Sequence, residues 1–590
     1  MILVQQRQAR ASTGPPDPTG PLRAALAGLL AAVAVVRLGW TEPLLPPGAL
    51  SMAAGALSVA YLGVLAVTAF SMLGKGEDRS AFLSLTRFEQ IVAITACALV
   101  WWWPAPLAAG AMLLLVHTTR IYLSLVQRAI PPGLVFVGSF MALIAVGTAI
   151  LHLPSATPEG QPISTVDALF TITSAISQTG LVVRPTGDGF TRFGQIIILV
   201  WIQVGALGVI VFGALLASVM GRGFGIKAAQ TIADPTETGW AGQLSLIKLV
   251  MFIIITTHAL ELVGAIAFYF SWPESWPGMP ADMNSPLDRA YHAVFFAISS
   301  FCNAGFVTTS DSMASLRSHW TPHVIICGLI LLGSIGFPVL DNIRRVLIAK
   351  IRGQRHDADG RLIRLTLNSK LILATALGVY VFGFVFIFLG EVTQAGVAAP
   401  LAVLDAHFMN IQRTAGFNTI APQDMGLLSQ LTLVLLMFIG GAPASVAGGI
   451  KLVALAVTAL TVWATITGQQ ATTAFGRTIP DVLVRKSATI VIMCLVACMA
   501  TTGALAITER GEDGAGPTLN ELLFESVSAV GTTGLSLGIT SELSDAGRLI
   551  LCVAMFVGRV GVLAIVASLV AAAGRKRVRI EYPREEVVVY

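Results

Sequence analysis

Charged residues are scarce in this sequence. Lys, Arg, Asp and Glu make up 12% of the 590 residues, about half the share found in soluble proteins, whereas 55% are hydrophobic. This balance excludes a water-soluble enzyme, and several apolar runs exceed the roughly 18 residues that indicate a membrane-spanning helix. The formal net charge of +5 is small and the basic residues are scattered, so no nucleic-acid partner is expected and the surface should contact membrane lipid.

Motifs for thiol, metal and nucleotide chemistry are missing as well. The six cysteines fall in apolar or pore-like segments and form no C-x-x-C pair, so they suggest neither a disulfide framework nor a zinc site. The chain has no Walker A motif, no G-x-G-x-x-G and no Ser/His/Asp arrangement. We therefore expect a protein that is not an enzyme and binds no cofactor, since a membrane enzyme built on His258 and Glu261 would need a second motif.

A repeated pattern organises most of the chain. A polar, proline-rich tail at 1–21, predicted to be disordered, and about four transmembrane helices within 22–131 precede it. From residue 132 a long apolar segment, a short glycine-bearing segment and another long apolar segment follow one another four times. The predicted repeats are 132–227, 228–355, 356–480 and 481–574, before a cytoplasmic tail at 575–590. Their long segments are 133–152, 193–220, 243–270, 320–349, 368–390, 426–465, 484–508 and 545–573.

The short segments cannot cross a bilayer. Each begins with a helical stretch of about ten to fourteen residues, such as 166–177 or 519–531, whereas a spanning helix needs about 20. Non-helical backbone at membrane depth is tolerated only inside protein or beside a watery cavity. We therefore predict an all-α polytopic membrane protein with four pseudo-equivalent helix–pore helix–helix repeats around one pore.

Basic residues indicate the orientation. Lys and Arg follow the second long segment of each repeat, and the positive-inside rule places such loops in the cytoplasm. Twelve spans with both termini cytoplasmic satisfy this pattern. The basic residues are Arg222, Lys227, Arg344, Arg345, Lys350, Arg352, Arg355, Arg361, Arg364, Lys370, Arg477, Arg485, Lys486, Arg575, Lys576, Arg577 and Arg579.

The glycine-bearing segments suggest cation chemistry. Glycine permits a positive φ, so successive carbonyl oxygens can turn inward and replace the hydration shell of a cation. Helix C-termini that point at the same centre add partial negative charge. Thr, Ser, Ala and Asn precede the glycines, without a ring of Asp or Glu, which favours a monovalent over a divalent cation.

Four motifs make residues 132–590 resemble the Trk/Ktr/HKT family of potassium transport proteins. They are Gln178-Thr-Gly-Leu181, Asn303-Ala-Gly-Phe306, Arg413-Thr-Ala-Gly-Phe-Asn-Thr419 and Gly531-Thr-Thr-Gly-Leu-Ser536. The resemblance implies a selectivity filter for K⁺, and Gly180 stands where some plant members that select sodium have serine. Gln178 and Cys302 depart from the expected pattern and leave Na⁺ as a second candidate ion. The implied filter residues are Gln178, Thr179, Gly180, Asn303, Ala304, Gly305, Thr414, Ala415, Gly416, Thr532, Thr533 and Gly534.

A glycine-rich segment interrupts the second long segment of repeat three. Pro443 lacks a backbone donor and four glycines lower helix propensity, so a helix cannot run smoothly through it. The resemblance implies an intramembrane gate beneath the filter; the alternative is a proline-kinked packing helix. The segment comprises Gly440, Gly441, Ala442, Pro443, Ala444, Ser445, Val446, Ala447, Gly448 and Gly449.

Several charged residues lie within apolar segments. The charge of Arg559 costs free energy within a membrane segment. The resemblance places this residue beside the filter, as an electrostatic barrier or as a partner of the gate. The alternative is a structural or snorkelling role. Lys451 either belongs to the gate or marks the return to the cytoplasm. Arg413 should point away from the pore and brace its loop. His258 and Glu261 are compatible with a proton relay or with a polar pair that bridges repeats or subunits.

The leading functional hypothesis is K⁺ uptake across the plasma membrane through a channel-like pore. The alternative is a Na⁺- or H⁺-coupled alternating-access transporter, which inverted repeats would favour; here all repeats return to the cytoplasm in the same orientation. The resemblance also implies a homodimer and a cytosolic ring of nucleotide-binding regulator-of-conductance subunits that docks on basic loops, especially 343–370.

Overall fold

The computed structural model describes residues 132–223, 246–273, 285–309, 311–356, 362–510 and 516–561, with Met283 and scattered positions between 22 and 64. Both predicted tails and most of the N-terminal helices lie outside the described residues. The chain divides into two units, Met1–Ile130 with His152–Pro162, and Pro131–Leu151 with Ile163–Tyr590. In the first unit a 3-10 turn spans Pro154–Ala156; everything below concerns the second.

Helices make up most of the described part of the second unit. Short turns at Thr186–Gly189, Ala314–Leu316, Pro422–Asp424 and Ile539–Ser541 connect them. The helices are α1 (Pro132–Leu151), α2 (Thr165–Ser177), α3 (Arg192–Gly223), α4 (Leu246–Ser271), α5 (Pro286–Phe301), α6 (Trp320–Ser334), α7 (Phe337–Ile351), α8 (Leu367–Thr393), α9 (Ala399–Gln412), α10 (Leu427–Phe438), α11 (Leu452–Ile466), α12 (Asp481–Thr508), α13 (Leu519–Gly531) and α14 (Asp545–Val560).

Four short helices, α2, α5, α9 and α13, lead into the four glycine motifs. Side-chain caps start three of them: Ser164 accepts from Asp167 N at 3.0 Å, Ser285 accepts from Asp288 N at 3.1 Å, and Thr518 forms a capping box with Glu521. The observed bounds of α2 and α13 lie within one residue of the sequence prediction. Because these helices have 13 to 16 residues, they are too short to cross a bilayer.

Three of the long helices have the length and composition of membrane spans. Among the described residues, Met251–Ser271, Leu367–Thr393 and Asp481–Thr508 qualify, and the bent pair α6–α7 would add a fourth. Helix α8 exposes large apolar side chains, including Leu377 and Val381, as a lipid-facing helix does. The predicted count of twelve spans includes segments outside the described ranges and stays a prediction.

The predicted continuous helix over 320–349 is wrong. Helices α6 and α7 meet at a bend of 102° between Ser334 and Phe337. Gly336 has a φ of +85°, and an added Cβ there would lie 2.7 Å from the carbonyl oxygen of Pro443. The backbone therefore turns where the glycine-rich segment of the third repeat approaches it, which the apolar run did not reveal.

The predicted interruption of 426–465 is present. Helix α10 ends at Phe438 and α11 begins at Leu452, with the 440–449 segment between them. Farther along, strands β1 (Thr473–Ala474) and β2 (Arg477–Thr478) form a short antiparallel hairpin. Its Ala474 joins a small apolar cluster with Leu371, Val457 and Ile479.

The core of the unit lies around the short helices. Phe170 of α2, Phe296 of α5, Phe408 of α9 and Phe524 of α13 are fully buried. Each buried aromatic ring contributes a large apolar area, so the short helices are fixed by packing. The glycine motifs at their C-terminal ends consequently start from rigid supports.

Candidate functional site

The four motif glycines meet in a closed ring. Each has a positive φ, between +73° and +94°. A Cβ added to any of them would come within 3.0 Å of a carbonyl oxygen in the next repeat. The pairs are Gly180 with Ala304, Gly305 with Ala415, Gly416 with Thr533 and Gly534 with Thr179. Four segments that are more than 100 residues apart in sequence therefore close one circle of backbone.

The residue two positions before the glycine is left-handed in three of the loops. Gln178, Asn303 and Thr532 have φ values of 56°, 55° and 51°, whereas Thr414 does not share this conformation. Gln178 and Thr532 cap the C-termini of α2 and α13. The negative ends of these helix dipoles thus lie next to the glycine ring, a favourable place for a cation.

Serines six positions before the glycines hold three of the loops, and sequence reasoning missed them. Ser174 Oγ accepts from Gly180 N at 3.1 Å and donates to Leu181 O at 2.7 Å. Ser299 Oγ donates to Phe306 O at 2.6 Å, and Ser528 Oγ accepts from Gly534 N at 3.0 Å. Asn410 takes this position in the third loop and donates to Tyr380 O at 2.7 Å. The sequence signal that could have identified these serines is their recurrence six positions before the motif glycine.

The remaining predicted loop residues make contacts behind the ring. The Asn303 amide hydrogen-bonds Ser334 Oγ at 2.7 Å and Thr414 Oγ1 at 3.0 Å. Thr179 Oγ1 lies 2.7 Å from Ser177 Oγ, and Thr533 Oγ1 donates to Arg413 O at 3.0 Å. Ala304 and Ala415 are fully buried. All twelve predicted residues therefore lie at or directly beside the ring.

A cavity of about 490 Å³ lies on one side of the ring. Its lining consists of the four glycines and residues that follow them, including Arg184, Asp311, Asn418 and Ser541. The residues that precede the glycines lie on the other side. The lining combines hydroxyl-bearing residues with apolar ones.

The 440–449 segment packs on the side opposite the cavity. Its two ends are joined where Gly440 N donates to Ile450 O at 2.9 Å and Leu452 N donates to Gly441 O at 3.0 Å. An added Cβ at Gly448 would collide with Thr532 Oγ1. The segment therefore forms a closed loop directly against the residues that precede the fourth glycine.

The bend between α6 and α7 holds this segment. Ala442 N donates to Ser334 O at 2.8 Å, Val446 N to Gly333 O at 3.2 Å and Phe337 N to Ala444 O at 3.2 Å. These bonds satisfy backbone groups that the two helix breaks leave open, as burial requires. Two interruptions in different repeats thus form one substructure.

Three basic side chains bind the segment or its start, and two of them, Arg559 and Arg413, connect it to the glycine loops. Buried Arg559 donates to Val446 O and to Gln178 Oε1. Arg413 donates to Ile439 O and Gly440 O, so its guanidinium braces the backbone at the start of the segment, whereas the sequence predicted that it braces its own loop. Lys451 Nζ donates to Ala447 O at 2.6 Å, which attaches it to the segment.

The family model TrkH, described as a cation transport protein, matches residues 110–574, which is most of the chain. The chain belongs to the TrkH family of cation transport proteins. The predicted family resemblance is confirmed, and the TrkH family consists of transporters rather than enzymes.

Curated relatives cover the same region of this TrkH-family chain. The Ktr system potassium uptake protein D of Bacillus subtilis is 32% identical over 475 residues, 79% of this chain and 98% of the relative. The potassium/sodium uptake protein NtpJ of Enterococcus hirae is 28% identical over 474 residues, again 79% and 98%.

A solved structure shares the fold. The potassium transporter TrkH from Vibrio parahaemolyticus matches with a TM-score of 0.59 and 17% identity, over 92% of this chain and 100% of that chain. This likeness supports a polytopic, mostly helical membrane fold for the TrkH-family chain.

His258 and Glu261, which the sequence suggested as a pair, form hydrogen bonds with different partners. His258 is exposed, and its Nδ1 hydrogen-bonds Ile254 O of the same helix at 2.9 Å. Buried Glu261 instead accepts from Gln203 Nε2 at 3.3 Å and from Cys302 Sγ at 3.6 Å. Glu261 thus bridges α3 to the second glycine loop, while the hydrogen bond of the His258 ring stays within its own helix. This geometry supports the bridging interpretation for Glu261.

Proposed function

We propose that this protein takes up K⁺ across the plasma membrane through a channel-like pore whose selectivity filter is the glycine ring. The observation that carries the proposal is the closed circle of Gly180, Gly305, Gly416 and Gly534. Relatives named as potassium uptake proteins support K⁺ as the transported ion. The ion is the substrate, and the chain needs no further cofactor for this function.

Selectivity would come from backbone oxygens. Glycine leaves the ring without side chains, so carbonyl groups of the four loops can replace water around a monovalent cation. Buried short helices and the serines behind the loops limit how far these oxygens move. An ion of the wrong size is coordinated poorly by these oxygens, so the free energy of its lost hydration is not fully compensated. The ring therefore favours one cation size over another.

The 440–449 segment and Arg559 would form the gate. The segment occupies the side of the ring opposite the cavity, and Arg559 adds a buried positive charge that also bonds the first loop. A fixed positive charge beside a cation path opposes conduction. Lys451, bonded to Ala447 O, would move with the segment.

Regulation would come from outside this chain. We include in the proposal a homodimer, cytoplasmic termini and a cytosolic regulator-of-conductance ring that binds nucleotide. The Bacillus subtilis relatives are named as parts of a Ktr system, which supports a second component. The regulator ring would dock on the basic surface at α7. There Arg344 and Arg345 are about half exposed and both bind Asp341, so their positive charge is partly neutralised.

Na⁺-coupled transport is the second candidate. The name of the Enterococcus hirae relative includes sodium, which favours testing Na⁺ both as a coupled and as a competing ion. An alternating-access mechanism requires transport to depend on the gradient of the second ion, whereas a pore does not.

Growth of a bacterium that lacks its own K⁺ uptake systems tests the proposed function. Expression of this chain, with and without a co-expressed regulator subunit, should restore growth at low K⁺. Membrane-inserted protein that fails to restore growth in either case would argue against K⁺ uptake. Growth that requires added Na⁺ would favour the coupled transporter.

A further inference from the structure

The fourth residue of the helix that follows each glycine loop has a shared position. It is Gln195 in α3, His323 in α6, Gln430 in α10 and Arg548 in α14. These four side chains, the outer ring, lie where each loop returns to a long helix. The four positions hold three different residue types, so no single sequence motif marks them.

Two members of the outer ring are glutamines with the same bonding scheme. Gln195 Nε2 donates to the carbonyl oxygens of Thr186, Gly187 and Phe190 in its own loop, at 2.9 to 3.2 Å. Its Oε1 accepts from Tyr291 Oη of α5, in the next repeat, at 2.9 Å. One amide therefore fixes its own loop and ties it to the neighbouring short helix.

Gln430 repeats this scheme in the third repeat. Its Nε2 donates to the carbonyl oxygens of Pro422, Gln423 and Met425, at 3.1 to 3.4 Å. Its Oε1 accepts from Asn520 Nδ2 of α13 at 3.0 Å. The same amide geometry thus recurs 235 positions later, without a shared local sequence.

The other two members link the same neighbours by different chemistry. Arg548 donates to Ser541 O of its own loop at 2.9 Å and forms an ion pair with Asp167 of α2 at 2.7 Å. His323 packs on Phe408 of α9 with ring centroids 4.6 Å apart. At that junction the polar bond comes from Arg317, which holds Asp405 of α9 through two hydrogen bonds.

We propose that the outer ring sets the spacing of the four glycine loops and is thereby a set of positioning residues for ion selectivity. The links run from repeat one to two, two to three, three to four and four to one. This is the same cyclic order in which the glycines contact one another. Because the circle is closed, loosening one link lets the whole glycine ring widen.

This inference rests on the proposed function, since it needs the glycine ring to select the ion. It adds that discrimination depends on side chains that touch neither the ring nor the ion. Polar contacts that are worth little for stability can still decide selectivity, because a small displacement of carbonyl oxygens changes the relative cost of two cations.

The test measures Rb⁺ uptake into proteoliposomes and the ratio of the Na⁺ and K⁺ concentrations that halve it. Gln430→Met removes both the donor and the acceptor, and we expect this ratio to fall about threefold or more, as loss of several hydrogen bonds would produce. Leu431→Met, on the exposed neighbouring side chain, is the matched control and should keep the wild-type ratio.

A rescue variant separates positioning from general damage. The double variant Gln430→Arg with Asn520→Asp gives the third junction an arginine–aspartate pair like that of Arg548 and Asp167. It should return the ratio towards the wild-type value. Tyr291→Phe removes a single hydroxyl at the first junction and serves if Gln430→Met does not fold. It should lower the ratio by a smaller amount, with uptake retained.

If Gln430→Met folds and its ratio is unchanged, the outer ring has no role in selectivity, although the proposed function stands. If Gln430→Met does not fold, an unchanged ratio in Tyr291→Phe leads to the same conclusion. A ratio that stays low in the double variant would also count against it. If the wild-type chain itself shows no preference for K⁺, the proposed function is wrong. The inference then falls with it.

Discussion

Arg559 donates a hydrogen bond to the side-chain oxygen of Gln178, which lies 381 residues earlier in the chain. The same guanidinium donates to Val446 O. One buried cation therefore joins the first glycine loop to the 440–449 segment. Because Gln178 departs from the pattern expected of the family, this chain has a specific acceptor for Arg559 on its proposed filter.

Removal of the charge at Arg559 should open the pathway. Arg559→Gln keeps a hydrogen-bond donor on a shorter side chain but no longer opposes a cation, so Rb⁺ uptake should rise roughly threefold or more. Arg559→Lys keeps the charge and should stay near the wild-type rate. Equal or lower uptake in correctly inserted Arg559→Gln would contradict an electrostatic barrier.

A methyl group in the glycine ring should abolish discrimination. In Gly416→Ala the added Cβ meets Thr533 O and the backbone of Gly534, so the loop must shift. Gly396→Ala is the matched control, because Gly396 also has a positive φ but nothing lies within 4 Å of an added Cβ. Both variants incur backbone strain of about 1–2 kcal/mol, and only Gly416→Ala should lose K⁺ preference over Na⁺.

Deletion of Ala442–Ala447 should raise Rb⁺ uptake, since it removes the part of the segment that contacts the α6–α7 bend and accepts from Arg559. Ser445→Ala, which loses one internal hydrogen bond to Ala442 O, is the mild control and should change uptake little. Unchanged uptake by the folded deletion variant would mean that the segment does not obstruct the pathway.

The ion pair between Arg317 and Asp405 should matter for stability. Arg317 donates to the Asp405 carboxylate, and this hydrogen bonding raises the pKa of Arg317 above its usual value, so the guanidinium stays charged at any working pH. Asp405 is buried, and Asp405→Asn should destabilise the purified protein by about 1–3 kcal/mol, visible as a lower unfolding temperature. Arg317→Lys, which keeps the charge but loses the forked geometry, should have a smaller effect.

Local features of this fold could be predicted from the sequence. The short helix at Leu519–Gly531 follows from its capping box and its length, and the interruption at 440–449 follows from glycine and proline. These signals act within a few residues of the structure they determine. The bend at Gly336 has similar signals, Gly336 and Pro338. The surrounding apolar run nevertheless led to the prediction of one continuous helix.

Contacts between distant segments could not be predicted in this way. The closing of Gly534 on Thr179 and the bond from Arg559 to Gln178 join the two ends of the described unit. Neither hydropathy nor spacing encodes which loop neighbours which. The outer ring could not be predicted for the same reason: its four members share a position in the fold, but only two of them, Gln195 and Gln430, share a residue type.

Rb⁺ uptake by the purified chain in proteoliposomes, in competition with K⁺ and Na⁺ and with or without a Na⁺ gradient, tests the central claim most directly. The account predicts uptake that K⁺ blocks strongly and Na⁺ blocks weakly, independent of the Na⁺ gradient. If the wild-type chain shows no uptake, the Ala442–Ala447 deletion variant should show it. Equal block by both ions, or no uptake by either chain, would contradict a K⁺-selective pore at the glycine ring.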